Sequence, residues 1–241
     1  MRASMLVAAF VSLACAEQGA PAKFSILVFS RTAGFRHESI PTGIAAIQDL
    51  GRARSFSVEA TEDPAAFTDD NLARFKVVVF LCTSGDVLNT VQQAAFETYI
   101  RRGGAFAGVH SAADTEYDWP WYGGLVGAYF ATHPAVQQAT VRVGDRGHPS
   151  TNAIPATIIR IDEWYDFQDN PRSRVSVLVS VDETTYSGGG MGADHPVAWY
   201  HTYEGGRAWY TAMGHTTESY GEPAFVEHLV GGILWAAGAN R

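Results

Sequence analysis

The sequence predicts an α/β fold in which a doubly wound, mainly parallel sheet carries helices on both faces. Two features of the first half lead to this prediction: short apolar runs rich in β-branched residues, and helical periodicity between those runs. In the second half, several strand-like runs follow one another with few long helices between them. We therefore expect the sheet to continue there as a mixed or antiparallel extension.

Strands and helices alternate in the first half. Strands are predicted at residues 24–29, 56–60, 77–81 and 105–109. A helix is expected over residues 39–50, where isoleucine and leucine recur at helical spacing, and Gly51 is expected to close it. Asn89 is expected to cap a second helix, which the glycine pair at positions 103 and 104 would end. This alternation indicates βαβ crossovers and hence parallel strands.

The second half is predicted to be mostly strand. The runs with strand character are residues 139–143, 156–161, 175–181, 197–203 and 208–213. The exception is a closing helix over residues 222–237, in which Phe225, Leu229 and Ile233 recur at helical spacing. No linker or internal repeat is visible, so residues 23–240 are predicted to form a single domain.

Composition limits the partners that the chain can have. Hydrophobic residues make up 46% of it, which is enough for a large core. Its 17 Lys and Arg residues stand against 25 Asp and Glu residues, so the formal net charge is −8. A dominant basic face for nucleic acid is therefore not expected, and beyond the amino terminus no apolar run is long enough to span a membrane.

The first sixteen residues resemble a secretory signal peptide. A short apolar run ends in small residues at positions 14 and 16, where signal peptidase would cleave after Ala16. Residues 17–22 would then form a flexible amino-terminal segment, and the protein would be extracellular or periplasmic. A lipid-modified Cys15 is the alternative. Cleavage would leave Cys82 as the single cysteine, and its place after an apolar strand favours a buried thiol.

A histidine occupies the sharp turn after the predicted strand 105–109. In several α/β enzymes this turn presents the catalytic nucleophile, and sites in parallel sheets lie beyond the carboxyl ends of the strands. We therefore expect His110 to face the cleft, with Asp114 beside it if a helical turn follows. An imidazole there suits acid/base catalysis, and the carboxylate could orient the ring, bind substrate or share a metal.

Segments along the chain resemble the trehalose-utilisation (ThuA-like) family. They are residues 34–39, 103–111, 162–165, 195–199, 206–211, 214–215 and 231–236. The resemblance covers nearly the whole presumed mature chain. It implies a flavodoxin-like fold similar to that of class I glutamine amidotransferases, and an association with trehalose, related sugars and their keto derivatives. Because the turn holds His110 where the amidotransferases have cysteine, thiol-based glutamine hydrolysis is not expected.

Other polar residues are predicted at the same edge of the sheet. Arg36 and His37 follow the first strand, where they could bind substrate or belong to a helix-capping segment. Glu163 adjoins Trp164 and Tyr165, and this combination of a carboxylate with aromatic faces suits a sugar. The alternative is that these aromatic rings fill the core.

Two later histidines are also candidates. His215 follows the last predicted strand, and we expect it to join His110 in the site. His195 precedes another strand and is a candidate for substrate binding. His133 and His148 fall in predicted loops, whereas His201 and His228 are expected to be structural or solvated.

No cofactor is required by the sequence, because it contains no HExxH, paired CxxC or calcium-loop pattern. A divalent metal is nevertheless possible if His110 and His215 converge with Glu163 or Asp114. The glycine-rich segment 187–192 lacks the Lys-Ser/Thr ending of a phosphate loop, and we expect a mobile lid or a plain connector.

The sequence is compatible with three functions. The leading hypothesis is an exported enzyme (a hydrolase, lyase or isomerase) acting on a small saccharide or keto-sugar derivative. His110 would be its acid/base group, Glu163 and His215 the partners of that group, and Arg36 would orient the substrate. The alternatives are a sugar-binding module without catalysis and a metal-dependent hydrolase or lyase.

Overall fold

Eleven strands are present in the computed structural model, which describes residues 22–239. In chain order they are β1 (Ser25–Phe29), β2 (Ser57–Thr61), β3 (Val77–Leu81), β4 (Ala105–Val109), β5 (Phe130–Thr132), β6 (Gln137–Val143), β7 (Thr157–Asp162), β8 (Asp166–Phe167), β9 (Ser176–Asp182), β10 (Pro196–Tyr203) and β11 (Gly206–Thr211). Nine of these strands form one sheet, and β5 pairs with β8 in a separate small ladder.

The nine-stranded sheet is parallel in one half and antiparallel in the other. Its order is β2-β1-β3-β4-β11-β10-β9-β6-β7, and every pair from β2 to β11 is parallel. The pairs from β11 to β7 are antiparallel. This arrangement confirms the predicted fold class, including the antiparallel extension. Strands β3 and β4 are buried at every position, which explains why their sequences are continuous apolar runs.

Five α-helices accompany the sheet within the described range. They are α1 (Ile40–Arg54), α2 (Asp69–Leu72), α3 (Thr90–Arg101), α4 (Pro120–Val126) and α5 (Pro223–Ala236). Helices α1 and α5 contact each other and strand β3, whereas α3 contacts α2 and strands β4 and β11. None of the helices among residues 22–239 is both long enough and apolar enough to cross a lipid bilayer.

Helix boundaries confirm one of the predicted glycine stops and contradict another. Helix α3 has Asn89 as its N-cap, in a capping box with Gln92, and ends before Gly103, whose φ is +87°. Gly51, by contrast, lies inside α1, which continues to Arg54. A glycine is needed at this position for packing, since a Cβ at Gly51 would lie 2.7 Å from the carbonyl oxygen of Phe56.

The remaining differences concern the ends of the chain and short elements. The predicted signal peptide, residues 1–16, and nearly all of the flexible segment 17–22 lie outside the described residues. Helices α2 and α4 and the β5–β8 ladder have no counterpart in the sequence prediction, because each is seven residues or shorter and too brief to show a period.

Candidate functional site

His110 begins a 3₁₀ turn at the carboxyl end of β4, as the predicted sharp turn requires. Its φ is +54°, a left-handed backbone conformation that is uncommon for residues other than glycine. The hydroxyl of Tyr210 donates a 2.8 Å hydrogen bond to the carbonyl of His110 and holds the turn from the neighbouring strand β11. A strained turn of this kind, stabilised by its surroundings, is typical of functional positions.

The ring of His110 has a defined orientation. Nδ1 lies 2.7 Å from the carbonyl oxygen of Ala212, which can only accept, so Nδ1 carries the hydrogen. The ring of Tyr165 packs against the imidazole with centroids 4.3 Å apart. The expected orientation by Asp114 is not found, because that carboxylate instead accepts a 2.7 Å hydrogen bond from Tyr117. Nε2 of His110 therefore points away from Ala212 with its lone pair available.

Three polar atoms surround this Nε2. His37 Nε2 and His215 Nδ1 each lie 3.1 Å from it, and Glu163 Oε2 lies at 3.4 Å. His215 Nδ1 and Glu163 Oε2 are themselves 3.2 Å apart. A neutral imidazole nitrogen has one lone pair in the ring plane, so it cannot form good hydrogen bonds to all three neighbours. The four side chains, which we call the histidine–glutamate cluster, thus converge on one point.

Strand pairing and a buried carboxylate hold the cluster together. His37 follows β1 and His110 follows β4, while His215 follows β11 and Glu163 follows β7. Asp162, the last residue of β7, is fully buried and ion-paired with Arg160 at 2.9 Å. Its two oxygens accept the backbone N–H groups of Gly214 and His215, at 2.9 and 3.1 Å. Asp162 therefore fixes His215 relative to Glu163.

Burial and mutual charge shift the pKa values of these groups. Burial, together with the charges of His110 and His215, lowers the pKa of His37 to about 3, so His37 is neutral near pH 7. Burial alone would raise the pKa of Glu163, but its contacts with His110 and His215 hold that pKa well below the usual range. The pKa of His215 is raised overall. Burial lowers it, but the hydrogen bond and the negative charge of Glu163 raise it by more. The cluster thus presents an ionised carboxylate to imidazole nitrogens.

This donor set fits a divalent transition metal. One ligand atom from each of the four residues lies within 4.8 Å of the other three. Ligands held about 2.1 Å from one ion stand about 3.0–3.4 Å apart. The three distances from His110 Nε2 and the distance between His215 Nδ1 and Glu163 Oε2 fall in this range. Three imidazoles and a carboxylate suit Zn²⁺, Mn²⁺ or Fe²⁺. His110 also makes the outer contact that a metal-binding histidine usually makes, donating its other ring N–H to a carbonyl.

A cleft of about 160 Å³ opens above the cluster. Its lining residues are Phe35, His37, Asp114, Phe130, His133, Glu163, Tyr165 and His215. Phe35 is 65% exposed at the rim, with its ring 4.9 Å from that of His37. Burial raises the pKa of Asp114 even though Tyr117 donates a hydrogen bond to it. The cleft therefore combines aromatic faces with two polar side chains outside the cluster, Asp114 and His133.

The structure brings most of the predicted site residues together. His37, His110, Glu163 and His215 form the cluster, and Asp114 and Tyr165 line the cleft. Three candidates lie elsewhere, and each has a different partner. Arg36 is exposed and ion-paired with Glu62 at 2.7 Å.

The other two candidates are in the interior, which explains why they do not reach the cleft. Trp164 is only 1% exposed, and its indole N–H donates to the carbonyl of Gln137 at 2.9 Å. It therefore fills the core, which was the alternative to sugar binding for this ring. His195 is fully buried, and its Nε2 lies 2.8 Å from the carbonyl oxygen of Tyr165.

His133, which the sequence places in a loop, lies just after β5 and lines the cleft. Its Nδ1 is 3.0 Å from Glu163 Oε1 and 2.9 Å from the carbonyl oxygen of Pro134, both acceptors, so Nδ1 carries the hydrogen. The side chain is 40% exposed. No sequence signal identifies it, because the short β5–β8 ladder that brings it beside Tyr165 is too brief to show a period.

The buried state of Cys82 agrees with expectation. The side chain is fully buried beside Tyr220 and the carbonyl of Gly214, and burial raises the pKa of the thiol to about 12. The thiol is therefore protonated near neutral pH and takes no part in the cluster.

Comparisons with known proteins agree with the fold and with the resemblance. Residues 25–236 match the family model ThuA, described as trehalose utilisation. A ThuA-like protein from Bacteroides uniformis superposes with a TM-score of 0.78 at 23% identity, over 90% of this chain and 92% of that chain. A ThuA-like protein from Parabacteroides merdae gives 0.74 at 17% identity, over 90% of each chain.

A more distant structural match is the β-galactosidase from Bacillus circulans sp. alkalophilus. Its TM-score is 0.58 at 12% identity, over 90% of this chain and 31% of the enzyme, so the likeness concerns the fold of one part of that enzyme. No curated protein matches the chain.

Proposed function

The chain belongs to the trehalose-utilisation (ThuA) family, and on that premise we propose that it is a metal-dependent enzyme acting on a small saccharide or keto-sugar derivative. The observation that carries the proposal is the convergence of His37, His110, His215 and Glu163 at the floor of a cleft. Such a convergence of lone pairs and a carboxylate is electrostatically favourable when a cation lies among them.

A divalent ion in this cluster would supply a Lewis acid for a substrate oxygen atom. The residues of the cluster would hold that ion, and Asp162 keeps His215 in place. In this proposal His110 is a ligand, because its ring is fully buried and its Nδ1 is committed to Ala212. The sequence hypothesis gave His110 the acid/base role, with Glu163 and His215 as its partners; a metal-free version of the site would use them in that way.

Proton transfer falls to the polar groups that line the cleft outside the cluster. Asp114 has a raised pKa and is half-buried, so it can hold a proton at higher pH than an exposed carboxyl. His133 places its Nδ1–H on Glu163 and Pro134, which leaves Nε2 as the nitrogen that can exchange a proton with a substrate. The cleft thus offers one carboxyl group, Asp114, and one imidazole, His133, so that one can donate a proton while the other accepts one.

The sugar assignment is supported by the family and by the chemistry of the cleft. Carboxylate and imidazole groups bind hydroxyls, and aromatic rings such as Phe35 and Tyr165 can stack on the apolar face of a pyranose. The cleft is smaller than a typical pocket for a drug-sized ligand. It suits a single sugar ring, with any second ring outside the rim.

Metal analysis combined with a substrate screen tests the proposal. The chain is freed of metal with a chelator, reloaded with Zn²⁺ or Mn²⁺, and incubated with trehalose, glucosides and their keto derivatives. We expect product only from reloaded protein, and loss of both metal and turnover in Glu163→Gln. The matched control Glu62→Gln removes an exposed carboxylate and should retain both. Full turnover in metal-free protein would instead favour acid/base catalysis by His110.

We further propose that the protein is exported after cleavage near Ala16, on the basis of the sequence of its first sixteen residues. Expression of the full chain followed by mass spectrometry of the exported fraction tests this. An amino terminus at Glu17 supports it, a lipid on Cys15 supports the alternative anchor, and an uncleaved chain in the cytoplasm contradicts both.

A further inference from the structure

A second group of metal-ligand side chains lies next to the backbone of Tyr165 and does not line the cleft. It consists of Asp166 in β8, Glu183 after β9, and His195 before β10. One ligand atom from each lies within 4.8 Å of the other two, and Asp166 and His195 are buried. None of these three residues belongs to the histidine–glutamate cluster.

The hydrogen bonds of His195 turn its Nδ1 towards Glu183 and Tyr186. Nε2 donates to the carbonyl of Tyr165 at 2.8 Å, which is the outer contact expected of a histidine that binds a metal through Nδ1. Nδ1 lies 2.8 Å from Glu183 Oε1 and 3.1 Å from the hydroxyl of Tyr186.

Charge in this group is not balanced. Among the described residues, His195 is the only cationic partner within ion-pair distance of Asp166 or Glu183. Even a doubly protonated His195 would leave one negative charge uncompensated in the interior. Asp166 Oδ1 adds a separate sign of incompleteness, because this atom is buried and has no hydrogen-bond partner within residues 22–239. A buried carboxylate oxygen without a partner is energetically costly.

We propose that Asp166, Glu183 and His195 form a second binding site for a divalent cation such as Zn²⁺ or Mn²⁺. Two carboxylates and one imidazole are a common donor set for these ions. An ion there supplies the positive charge that the group lacks. It also offers a contact to Asp166 Oδ1, which lies 3.8 Å from His195 Nε2 and has no hydrogen bond among the described residues. The site stands on its own residues and does not depend on the proposed function of the cleft.

Part of the glycine-rich segment 187–192 lies against this second site. The backbone N–H of Met191 donates to Glu183 Oε1 at 2.8 Å. A Cβ at Gly190 would lie 2.8 Å from Asp166 Oδ2, so this position has no room for a side chain. The segment therefore acts as a cover closed over the carboxylates. An ion beneath it would fix both this cover and Tyr165, whose ring packs on His110.

Counting bound metal in matched variants tests the second site. Metal-free protein is incubated with Mn²⁺ or Zn²⁺, separated from free ion by gel filtration, and analysed by elemental mass spectrometry. We expect two ions per wild-type chain, and one fewer ion in Asp166→Asn. Glu183→Gln provides a second variant if Asp166→Asn does not fold. Asp194→Asn is the control, since this neighbouring carboxylate is half-exposed and paired with Arg172.

The pattern across variants separates this site from the cleft. Glu163→Gln should also lose one ion, and the double variant with Asp166→Asn should lose both. A single ion in wild type that persists in Asp166→Asn and Glu183→Gln overturns the second site and leaves the proposed function intact. An ion lost in Asp166→Asn but retained in Glu163→Gln supports the second site and contradicts the metal centre of the cleft.

Discussion

Nε2 of His110 lies 3.1 Å from Nδ1 of His215, although 105 residues separate the two in the sequence. The contact follows from the parallel pairing of β4 with β11, in which Val109 is opposite Thr211. Each histidine thus leaves the same edge of the sheet beside the other. Because this pairing exists only in the folded chain, ion binding at the cluster and folding should be coupled.

Replacing His110 with asparagine should abolish metal binding in the cleft without unfolding the protein. Asparagine tolerates the left-handed backbone conformation at this position, so the turn can survive while the ligand nitrogen is lost. We expect metal affinity to fall by about 100-fold or more. Thermal melts with and without Mn²⁺ measure this, because the ion raises the melting temperature of a chain that binds it. The shift in His110→Asn should therefore be smaller than in wild type by the contribution of the cleft.

His201→Asn is the matched control for that experiment. His201 lies on β10 and contacts the carbonyl of Leu125, away from the cleft. It should keep the shift in melting temperature that wild type shows. An equal shift in His110→Asn would show that His110 is not a ligand.

The sequence predicted part of the cluster from one rule. The carboxyl ends of parallel strands meet at one edge of a sheet, so the polar residues after β1 and β4 could be expected to converge. His37 and His110 were predicted on this basis, whereas His215 was a candidate because it is a second histidine at the end of a predicted strand. The turn at His110 was also recognisable, since a large polar ring directly after a buried strand is a poor choice for packing.

What the sequence did not resolve was which neighbouring side chains face the cleft. Glu163 and Tyr165 line it, whereas Trp164 between them is in the core. Phe35 and His37 line it in the same way, whereas Arg36 between them pairs with Glu62. This is the alternation of an extended chain. The alternation can be read from the sequence, but which side chains face the cleft depends on the direction of one of them. Tertiary packing sets that direction.

Acid should destabilise the metal-free protein through its buried histidines. Burial lowers the pKa of His228 and of His37 to about 3, and that of His148 to about 4. Unfolded histidines bind a proton below about pH 6.5, whereas these remain neutral in the folded chain. The unfolded state therefore binds more protons between pH 6.5 and about 3 to 4, and the free energy of unfolding falls as pH falls through that range.

Urea unfolding at several pH values measures this effect. Each such histidine contributes about 1.4 kcal/mol per pH unit well below pH 6.5. Substituting His228 with glutamine should flatten the slope by this amount, whatever it does to stability at pH 7. A slope that His228→Gln leaves unchanged would show that His228 takes up its proton in the folded state.

Gly231 should not tolerate a side chain, although it lies within helix α5. A Cβ there would lie 2.3 Å from the carbonyl oxygen of Pro149 and 2.5 Å from Cα of Ser150, and neither backbone atom can move without displacing the chain. Overpacking of this kind costs about 1–3 kcal/mol and exceeds the gain of about 1 kcal/mol from the helix propensity of alanine.

The prediction for Gly231→Ala is checked by urea unfolding against Gly221→Ala. A Cβ at Gly221 would meet no atom within 4 Å, so that variant should stay within about 0.5 kcal/mol of wild type. Equal stability of the two variants would mean that α5 can shift away from the backbone at residues 149–150.

Phe35 should contribute to substrate binding and little to stability. Its ring is 65% exposed at the rim of the cleft and 4.9 Å from the ring of His37, so it is placed to stack on a sugar that reaches the cluster. Removing it with Phe35→Ala should weaken binding of whichever saccharide is turned over in the substrate screen by about two- to tenfold, the usual value of an aromatic contact. Metal content and melting temperature should be unchanged. Val91→Ala, which removes a 76% exposed side chain on α3, is the control for surface truncation. A change in KM confined to Phe35→Ala supports stacking at the rim, whereas equal KM values in both variants would mean that the sugar approaches from the side of Asp114 and His133.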